Sequence, residues 1–463
     1  KPKMSFIDLP KAFESRMKEY LGKVEYERFN SALGEDPLTS IRLNPFKKTP
    51  PFHLNKRVPW SETGFYLTER PSFTLDPLFH AGTYYVQEAS SMFLEHILHH
   101  IQAPRDGVFL DMAAAPGGKS TLIGSYLGQK GFLVANEVIK ARASVLKENI
   151  IKWGLGNTMV TQNDPEHFSK LEGFFDLVLV DAPCSGEGMF RKDKEARSEW
   201  SNDHVALCAH RQERIMDKAG TLVKGGGYLI YSTCTFNEQE NEEILRFICS
   251  EFSYEPVQIP LESSWGIVES ALELENKTYF GYRFYPHKVF GEGFFVTVLK
   301  RSEDAYSQAP QRTKDFKHPF IKLEGKLVKE NMIKALELPQ SSSFYTLNGS
   351  CFWLNSNFQS HFEYLSRFLN IKYFGVELGK FYKTQFIPTH EWALSIFPKT
   401  GFFYFELEEK DAIDFLRKQD ISLEGIPEGW ILLTYQQNPL GWIKNLGNRT
   451  NNYYPKEWRI RMK

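Results

Sequence analysis

Cysteine is scarce: five residues, at 184, 208, 234, 249 and 351, in a chain of 463. No two of them stand as C-x-x-C, so neither a disulfide framework nor a structural zinc site is expected, and each thiol is by default a small buried hydrophobe. Long apolar runs are missing as well. Nothing approaches the roughly 18 consecutive apolar residues a membrane span needs. The opening residues, KPKMSFIDLPKAFESRMKEY, turn amphipathic at once and lack the apolar core of a signal peptide. A cytoplasmic protein with no membrane contact and no metal, working as a monomer, is the expectation. An excess of one charge is also absent, since 56 Lys and Arg face 57 Asp and Glu for a net charge of −1. The chain as a whole therefore does not present the basic balance that commonly goes with nucleic-acid binding.

Locally the charge is less even. Between Ile41 and Trp60 stand Arg42, Lys47, Lys48, Lys56 and Arg57 with no acid among them, and Lys444, Arg449, Lys456, Arg459, Arg461 and Lys463 near the end face Glu457 alone. Aromatic residues make up 15% of the chain and are interleaved with these stretches, the composition of a surface that stacks bases. The plainer alternative, solvated ends with buried aromatics, fits composition equally well.

The length exceeds what one hydrophobic core usually supports, so two or more domains are expected. Residues 1–80 read as short helices followed by extended, Pro-containing segments. From 81 to about 300, apolar runs alternate with helix-period stretches, the pattern of an α/β sheet. The strand candidates are GVFLDM (107–112), GFLVANE (131–137), NTMVTQND (157–164), FDLVLVD ending at Asp181, and GYLIYST (227–233). Their continuous apolar centres suit parallel strands buried on both faces. A late pair, YRFYPHKVF and GFFVTVLK, reads as a hairpin closing the sheet edge. The polar stretch 301–315 is the best linker. Beyond 381, WALSIF, GFFYFEL, GWILLTY and LGWIKNL suggest a small β-rich domain.

The segment DMAAAPGGKS (111–120) leaves the first of these strands and opens a helix. Two chemistries compete for it. It satisfies a relaxed phosphate-loop pattern ending in Gly118-Lys119-Ser120, with VLVD posing as the metal-binding strand of an ATPase. Against that, Pro116 removes one of the backbone N–H groups such a loop needs, and the usual first glycine is missing. The alternative is an adenosyl cofactor, whose carboxylate suits a helix N-terminus and whose close approach suits small residues. That reading requires an acid at the end of the next strand, roughly 20 residues on, for the ribose hydroxyls. Glu137 is there. Asp164 ends the third strand, placed to meet the adenine edge, and Asp181 ends the fourth, near the cofactor's reactive end.

Two cysteines also follow strand ends: Cys184 in DAPCSGEG and Cys234 in YSTCTF. In an open parallel sheet ligands bind outside the carboxyl ends of the strands, so both thiols are expected over the cleft. A thiolate nucleophile beside a methyl donor suits methylation of cytosine carbon 5. Attack at carbon 6 breaks the aromaticity and makes carbon 5 an enamine nucleophile. Loss of the carbon-5 proton and elimination of the cysteine complete the cycle. Asp181 would hydrogen-bond ring nitrogen 3 and the exocyclic amine.

PGGK, DAPCSGEG and YSTCTF in this order, preceded by YYVQEASSM (84–92), resemble the Sun/NSUN (Nop-Sun) family of RNA 5-methylcytosine methyltransferases. The resemblance implies a Rossmann-like class I S-adenosylmethionine-dependent α/β core at 81–303. It places a small N-terminal α/β RNA-binding domain at 1–80, and a linker with a small intermediate domain at 304–380. A β-rich, PUA-like RNA-binding domain follows at 381–463, as in the RsmF-type branch. It implies Cys234 as nucleophile, with Cys184 assisting product release and Asp181 and Lys119 as catalytic partners. Cofactor contacts would fall on Ala113, Ala114, Ala115, Pro116, Gly117, Gly118, Lys119, Glu137, Asp164, Asp181 and Pro183, with Arg142 supporting the loop. SIRLNPFK (40–47) would face RNA, and the implied partner is 16S rRNA or the small ribosomal subunit. A non-catalytic RNA-binding assembly factor on the same fold is the third alternative. Calorimetry separates the cofactor readings: S-adenosylmethionine is expected to bind and ATP is not, whereas an ATPase would show nucleotide hydrolysis lost in Lys119→Ala.

Overall fold

Apolar, β-branched runs bounded by turn signals lose least free energy when neither face meets water, and here they lie side by side as parallel strands. The computed structural model describes residues 7–50, 54, 56–311, 320–323, 332, 336–382, 385–421 and 423–462. Lys463 and the 312–315 end of the polar linker lie outside the described residues. The parallel strands are β1 (Val108–Asp111), β2 (Phe132–Asn136), β3 (Thr158–Thr161), β4 (Phe175–Asp181) and β5 (Val223–Thr233). Five antiparallel strands extend the sheet: β6 (Val268–Leu274), β7 (Lys277–Phe284), β8 (Phe294–Arg301), β9 (Ile371–Phe374) and the short Tyr254–Pro256, which pairs with β8 off the main path. The spatial order is β6-β7-β8-β5-β4-β1-β2-β3-β9. Because β1 has β2 on one side and β4 on the other, successive crossovers diverge there and leave a crevice at the strands' carboxyl ends.

Both edges run further than the hydrophobic pattern indicated. β7 and β8 form the expected hairpin, but β6 adds outside it. With Glu269, Ala271 and Glu273 exposed on one face, it gave no apolar run to detect. At the other edge β9, drawn from the region read as an intermediate domain, pairs with β3. Phe374 of β9 is fully buried, and Phe358 stacks on Phe132 of β2 with centroids 5.5 Å apart, so this region shares the central core.

Helices cover the sheet: α1 (Lys11–Leu33), α2 (Gly118–Leu127), α3 (Lys140–Trp153), α4 (Asn202–Ala219) and α5 (Glu242–Glu251). On α4 the buried Val205, Cys208, Gln212, Ile215, Met216 and Ala219 recur at helical spacing and define one inward stripe. Cys208 and Cys351 are core residues of the ordinary kind. α1 turns at Gly22, whose φ of +72° lies in the left-handed region, and this lets Phe13 and Phe29 both reach the core. Phe13 meets Phe190 edge-on at 4.9 Å and Phe29 meets Phe236 at 5.3 Å. The amino-terminal helix thus packs directly on the segments that follow β4 and β5.

A four-stranded antiparallel sheet follows α1 in the order 56–57, 64–66, 40–43, 84–86. At the carboxyl end a five-stranded and a four-stranded sheet meet through Trp392 and Trp442, 5.7 Å apart. WALSIF, grouped with the β-rich segments from its sequence, begins instead inside the short helix His390–Leu394. A short apolar run carries no period that separates the two conformations. No helix among the described residues is long and apolar enough to cross a membrane.

Two cations of the basic 41–60 stretch turn inward. Arg42 is only 1% exposed. Its Nε donates to Gln87 Oε1 at 2.7 Å, and its Nη2 donates to the Gly118 carbonyl at 3.2 Å and to Thr121 Oγ1. The guanidinium lies over Trp153 at 4.5 Å. Lys47 Nζ donates to the carbonyls of Ala81 and Lys152 at 2.5 and 2.6 Å, and burial pushes its pKa down to about 7. These side chains fasten the small sheet to the core, which corrects their reading as RNA-facing. Lys56 and Arg57 remain exposed. Arg42→Met leaves several buried acceptors unpaired and is expected to cost about 3 kcal/mol in urea unfolding, against about 0.5 kcal/mol or less for Lys56→Met.

Candidate active site

β1 ends at Asp111 and α2 begins at Gly118, so the residues between them must reverse the chain within a few positions. Gly117 makes this possible. Its φ of +117° is one that a side chain rarely allows, and an added Cβ would stand 3.3 Å from Leu146 and 3.4 Å from Asn149 on α3. The loop's carbonyls are held from outside, with Arg142 Nη2 donating to Ala115 O at 2.9 Å and Asn149 Nδ2 to Pro116 O at 2.8 Å. From beneath, Arg42 holds Gly118 O.

A cavity of about 180 Å³ opens over this loop. Ala113, Ala114, Ala115, Pro116, Gly118, Lys119, Asp111 and Asp181 form one side of it. Tyr85, Gln87, Glu88 and Ser91, from the strand and turn preceding the core, form the other. Lys119 Nζ donates to Asp181 Oδ2 at 2.8 Å, and Ser232 Oγ donates to Asp181 Oδ1 at 2.7 Å, which fixes the plane of that carboxylate. Burial works against the charge on Lys119, but Asp181, Asp111 and Cys234 outweigh it and its pKa is raised, so the ammonium persists. The lysine that a phosphate-loop reading needs is paired with Asp181.

Other expected residues stand beside the cavity. Glu137, 2% exposed, caps the next turn by accepting from Ile139 N at 3.0 Å. Its buried Oε2 accepts no hydrogen bond and lies 3.5 Å from Arg142 Nη1. Asp164 accepts from Glu166 N at 3.1 Å and lies 3.6 Å from Arg214. Pro183 offers its carbonyl to Gln212 Nε2 at 3.0 Å.

The two cysteines of the adjacent loops converge. Cys184 Sγ lies 3.1 Å from Cys234 Sγ and accepts from Cys234 N at 3.3 Å, and both thiols are free. The hydrogen bond to Cys234 raises the Cys184 pKa, followed by burial and by the charges of Cys234 and Glu240, so Cys184 holds its proton.

What sets this spacing lies below. Glu240, with no exposed surface, accepts from Ser185 N at 2.9 Å, Gln212 Nε2 at 2.8 Å, Asn237 Nδ2 at 2.6 Å and the Ser185 hydroxyl. Glu187, equally buried, accepts from Trp200 Nε1 and Phe236 N, both at 2.9 Å, and pairs with Arg16 of α1. None of Glu240, Gln212 or Arg16 was marked by a motif, and Glu187, though inside DAPCSGEG, was given no role there. The signal available for Glu240 was the dense polar cluster NEQEN directly after YSTCTF, where a buried strand end rarely carries so many hydrogen-bonding groups.

Three regions of the chain match family models. Residues 99–300 match that of the 16S rRNA methyltransferase RsmB/F, residues 9–89 that of the N-terminal domain of 16S rRNA methyltransferase RsmF, and residues 402–460 that of the methyltransferase RsmF PUA domain. A ribosomal RNA small subunit methyltransferase F from Aeromonas hydrophila is 34% identical over 414 residues, covering 86% of this chain and 84% of that protein. The protein of the same name from Salmonella agona is 31% identical over 475 residues, covering 97% and 96%. Among solved structures, a methyltransferase homolog from Pyrococcus horikoshii is 29% identical with a TM-score of 0.53, covering 63% of this chain and 95% of that one. NSun6 from Pyrococcus horikoshii with SFG shares the fold at 22% identity and a TM-score of 0.52, covering 64% and 99%.

Burial raises the Asp111 pKa to about 7, against the bond from Ser120 Oγ. A carboxyl raised in the folded state favours folding while protonated. Its contribution is full below the ordinary Asp range near pH 4 and is lost as pH rises toward 7, at about 1.4 kcal/mol per pH unit. In the protein without cofactor, Asp111→Asn is therefore expected to flatten the decline of thermal stability between pH 5 and 7. An unchanged slope would contradict the assignment.

Proposed function

The chain belongs to the 16S rRNA methyltransferase RsmB/F family and is an S-adenosylmethionine-dependent RNA methyltransferase. On that premise we propose that it methylates carbon 5 of a 16S rRNA cytosine through attack of Cys234 on carbon 6, with Cys184 assisting release. The observation that carries this reading is the pair of thiols 3.1 Å apart, at the ends of adjacent parallel strands, beside the Lys119–Asp181 pair. Methylation of an oxygen or an exocyclic nitrogen would use neither thiol.

When bound, S-adenosylmethionine supplies an electrophilic methyl group. The residues fit it. Small side chains from Ala113 to Ala115 let the ligand approach the backbone, and the start of α2 suits its carboxylate. The buried Oε2 of Glu137 is an acceptor free to take a ribose hydroxyl. Asp164 stands at the end of the neighbouring strand for the adenine edge.

Asp181, its carboxylate held by Lys119 and Ser232, accepts a hydrogen bond from the exocyclic amine on the cytosine edge. Held there, the base presents carbon 6 to Cys234, and the new sulfur–carbon bond pushes electron density onto carbon 5. Before attack, Cys184 donates its S–H to the Cys234 sulfur. Once Cys234 is a neutral thioether, the largest cause of the raised Cys184 pKa is gone. Cys184 then gives up its proton to solvent and, as a thiolate, is the base nearest the adduct once carbon 5 carries the methyl group. Removal of the carbon-5 proton returns the electron pair to the ring and expels Cys234. The target base must leave any stack to reach these thiols, so a loop or flipped nucleotide is the substrate. As part of the same proposal the protein acts as a monomer in the cytoplasm, where rRNA is found.

The test is transfer of labelled methyl from S-adenosylmethionine to 16S rRNA, with recovery of 5-methylcytosine. Cys184→Ala is expected to accumulate a covalent protein–RNA adduct on denaturing gels, and Cys234→Ala to be inactive without one. If the two variants exchange phenotypes, the assignment of nucleophile is wrong. If label reaches no cytosine, the function is wrong.

A further inference from the structure

A second cavity, of about 430 Å³, shares a wall with the one over the glycine loop. Tyr85 and Val86 line both, so the strand Tyr84–Val86 is the partition between them. Beyond it the lining comes from Arg70, Phe73 and Phe79 of the preceding segment and from Asn149 of α3, the residue that also holds the Pro116 carbonyl. We propose that this cavity receives the nucleotide next to the methylated cytosine, its base against Phe73 and Phe79 and its phosphate toward Arg70. The inference rests on the rRNA-methyltransferase reading above and goes beyond it by placing a substrate contact outside the reacting centre.

The chemistry of the lining supports one occupant. Phe73 and Phe79 are half-buried, their centroids 6.3 Å apart, so each keeps part of its ring open to the cavity. The exposed Arg70 guanidinium lies 5.4 Å from the Phe73 centroid, a planar cation already stacked on an aromatic face. Among the described residues none of the lining is acidic, in a chain whose acids slightly outnumber its bases. Ser72, Thr74 and Asn149 supply neutral hydrogen-bonding groups. Rings to stack on, a guanidinium for a phosphate and no carboxylate to repel one are the features single-stranded RNA needs.

Continuity supplies the remaining argument. A base drawn out of its stack leaves its neighbour without a stacking partner, and a site beside the reaction cavity restores one. The carboxyl end of the chain also reaches this rim. Met462 Sδ meets Ser72 Oγ at 3.9 Å, and Arg459 and Arg461 immediately before it are exposed. The basic carboxyl-terminal stretch thus ends at the cavity, where it extends the positive surface along an RNA backbone.

The full-length protein, labelled S-adenosylmethionine and 16S rRNA test this. Arg70→Ala combined with Phe73→Ala is expected to raise KM for 16S rRNA about tenfold, with unchanged affinity for S-adenosylmethionine by calorimetry. Because loss of Phe73 also removes packing against Tyr84, a second variant, Thr74→Glu, places a carboxylate at the rim without emptying it. It is expected to raise the same KM, more at low salt than at high. Weakened cofactor affinity in either variant would assign the cavity to the adenosyl group and overturn the proposal, and so would an unchanged KM in Thr74→Glu. A wild-type protein that transfers no methyl to 16S rRNA would instead remove the functional reading itself.

Discussion

Glu240 is a fully buried carboxylate whose partners are a backbone N–H, a hydroxyl and two side-chain amides, all neutral. Two of those donors belong to Ser185, next to Cys184, and one to Asn237, three residues after Cys234. Glu240 therefore ties the two cysteine loops together, alongside the bonds from Phe236 N to Glu187 and from Gly188 N to the Cys234 carbonyl. Burial raises its pKa and the bonds from Ser185 and Asn237 work the other way, so its acceptor capacity depends on keeping those donors in place. Each donor left unpaired at this depth would cost about 1–3 kcal/mol, so the loops cannot drift apart independently.

The other parts of the chain lean on this arrangement. Glu187 joins the same loops to α1 through Arg16, and the aromatic contacts of Phe13 and Phe29 seal that helix onto Phe190 and Phe236. On the opposite side, Arg42 and Asn149 hold the glycine loop from two directions, tying the small amino-terminal sheet and α3 to the cofactor cavity. The amino-terminal region thus serves as a structural wall of the site. That use explains why a stretch rich in Arg and Lys has some of its cations buried on carbonyls and aromatic rings.

Legibility followed burial. The five parallel strands were readable because both faces are dry, which forces continuous apolar runs. β6 was not, since an edge strand with one solvated face alternates weakly, and neither was β9, which borrows its partner from a distant part of the chain. In the site, PGGK, DAPCSGEG and YSTCTF stood out because chemistry demands particular residue types at strand ends. Glu240, Gln212 and Arg16 did not, because a polar side chain far from the others in sequence looks like any solvated residue until the fold brings its partners to it; Glu187, though part of DAPCSGEG, carries no local sign of its burial.

What the amino-acid sequence determined by itself was the sheet's parallel centre, the loop of small residues after β1, the acids ending β2, β3 and β4, and the presence of thiols after β4 and β5. Those properties are local: each depends on a few consecutive residues and on the period of burial. Only the tertiary structure decided that Cys184 and Cys234 touch at 3.1 Å, that Lys119 is spent on Asp181, and that Arg42 and Lys47 face inward. These depend on hydrogen-bond geometry between residues tens of positions apart, where the free energy of burial fixes partners that no short motif can specify.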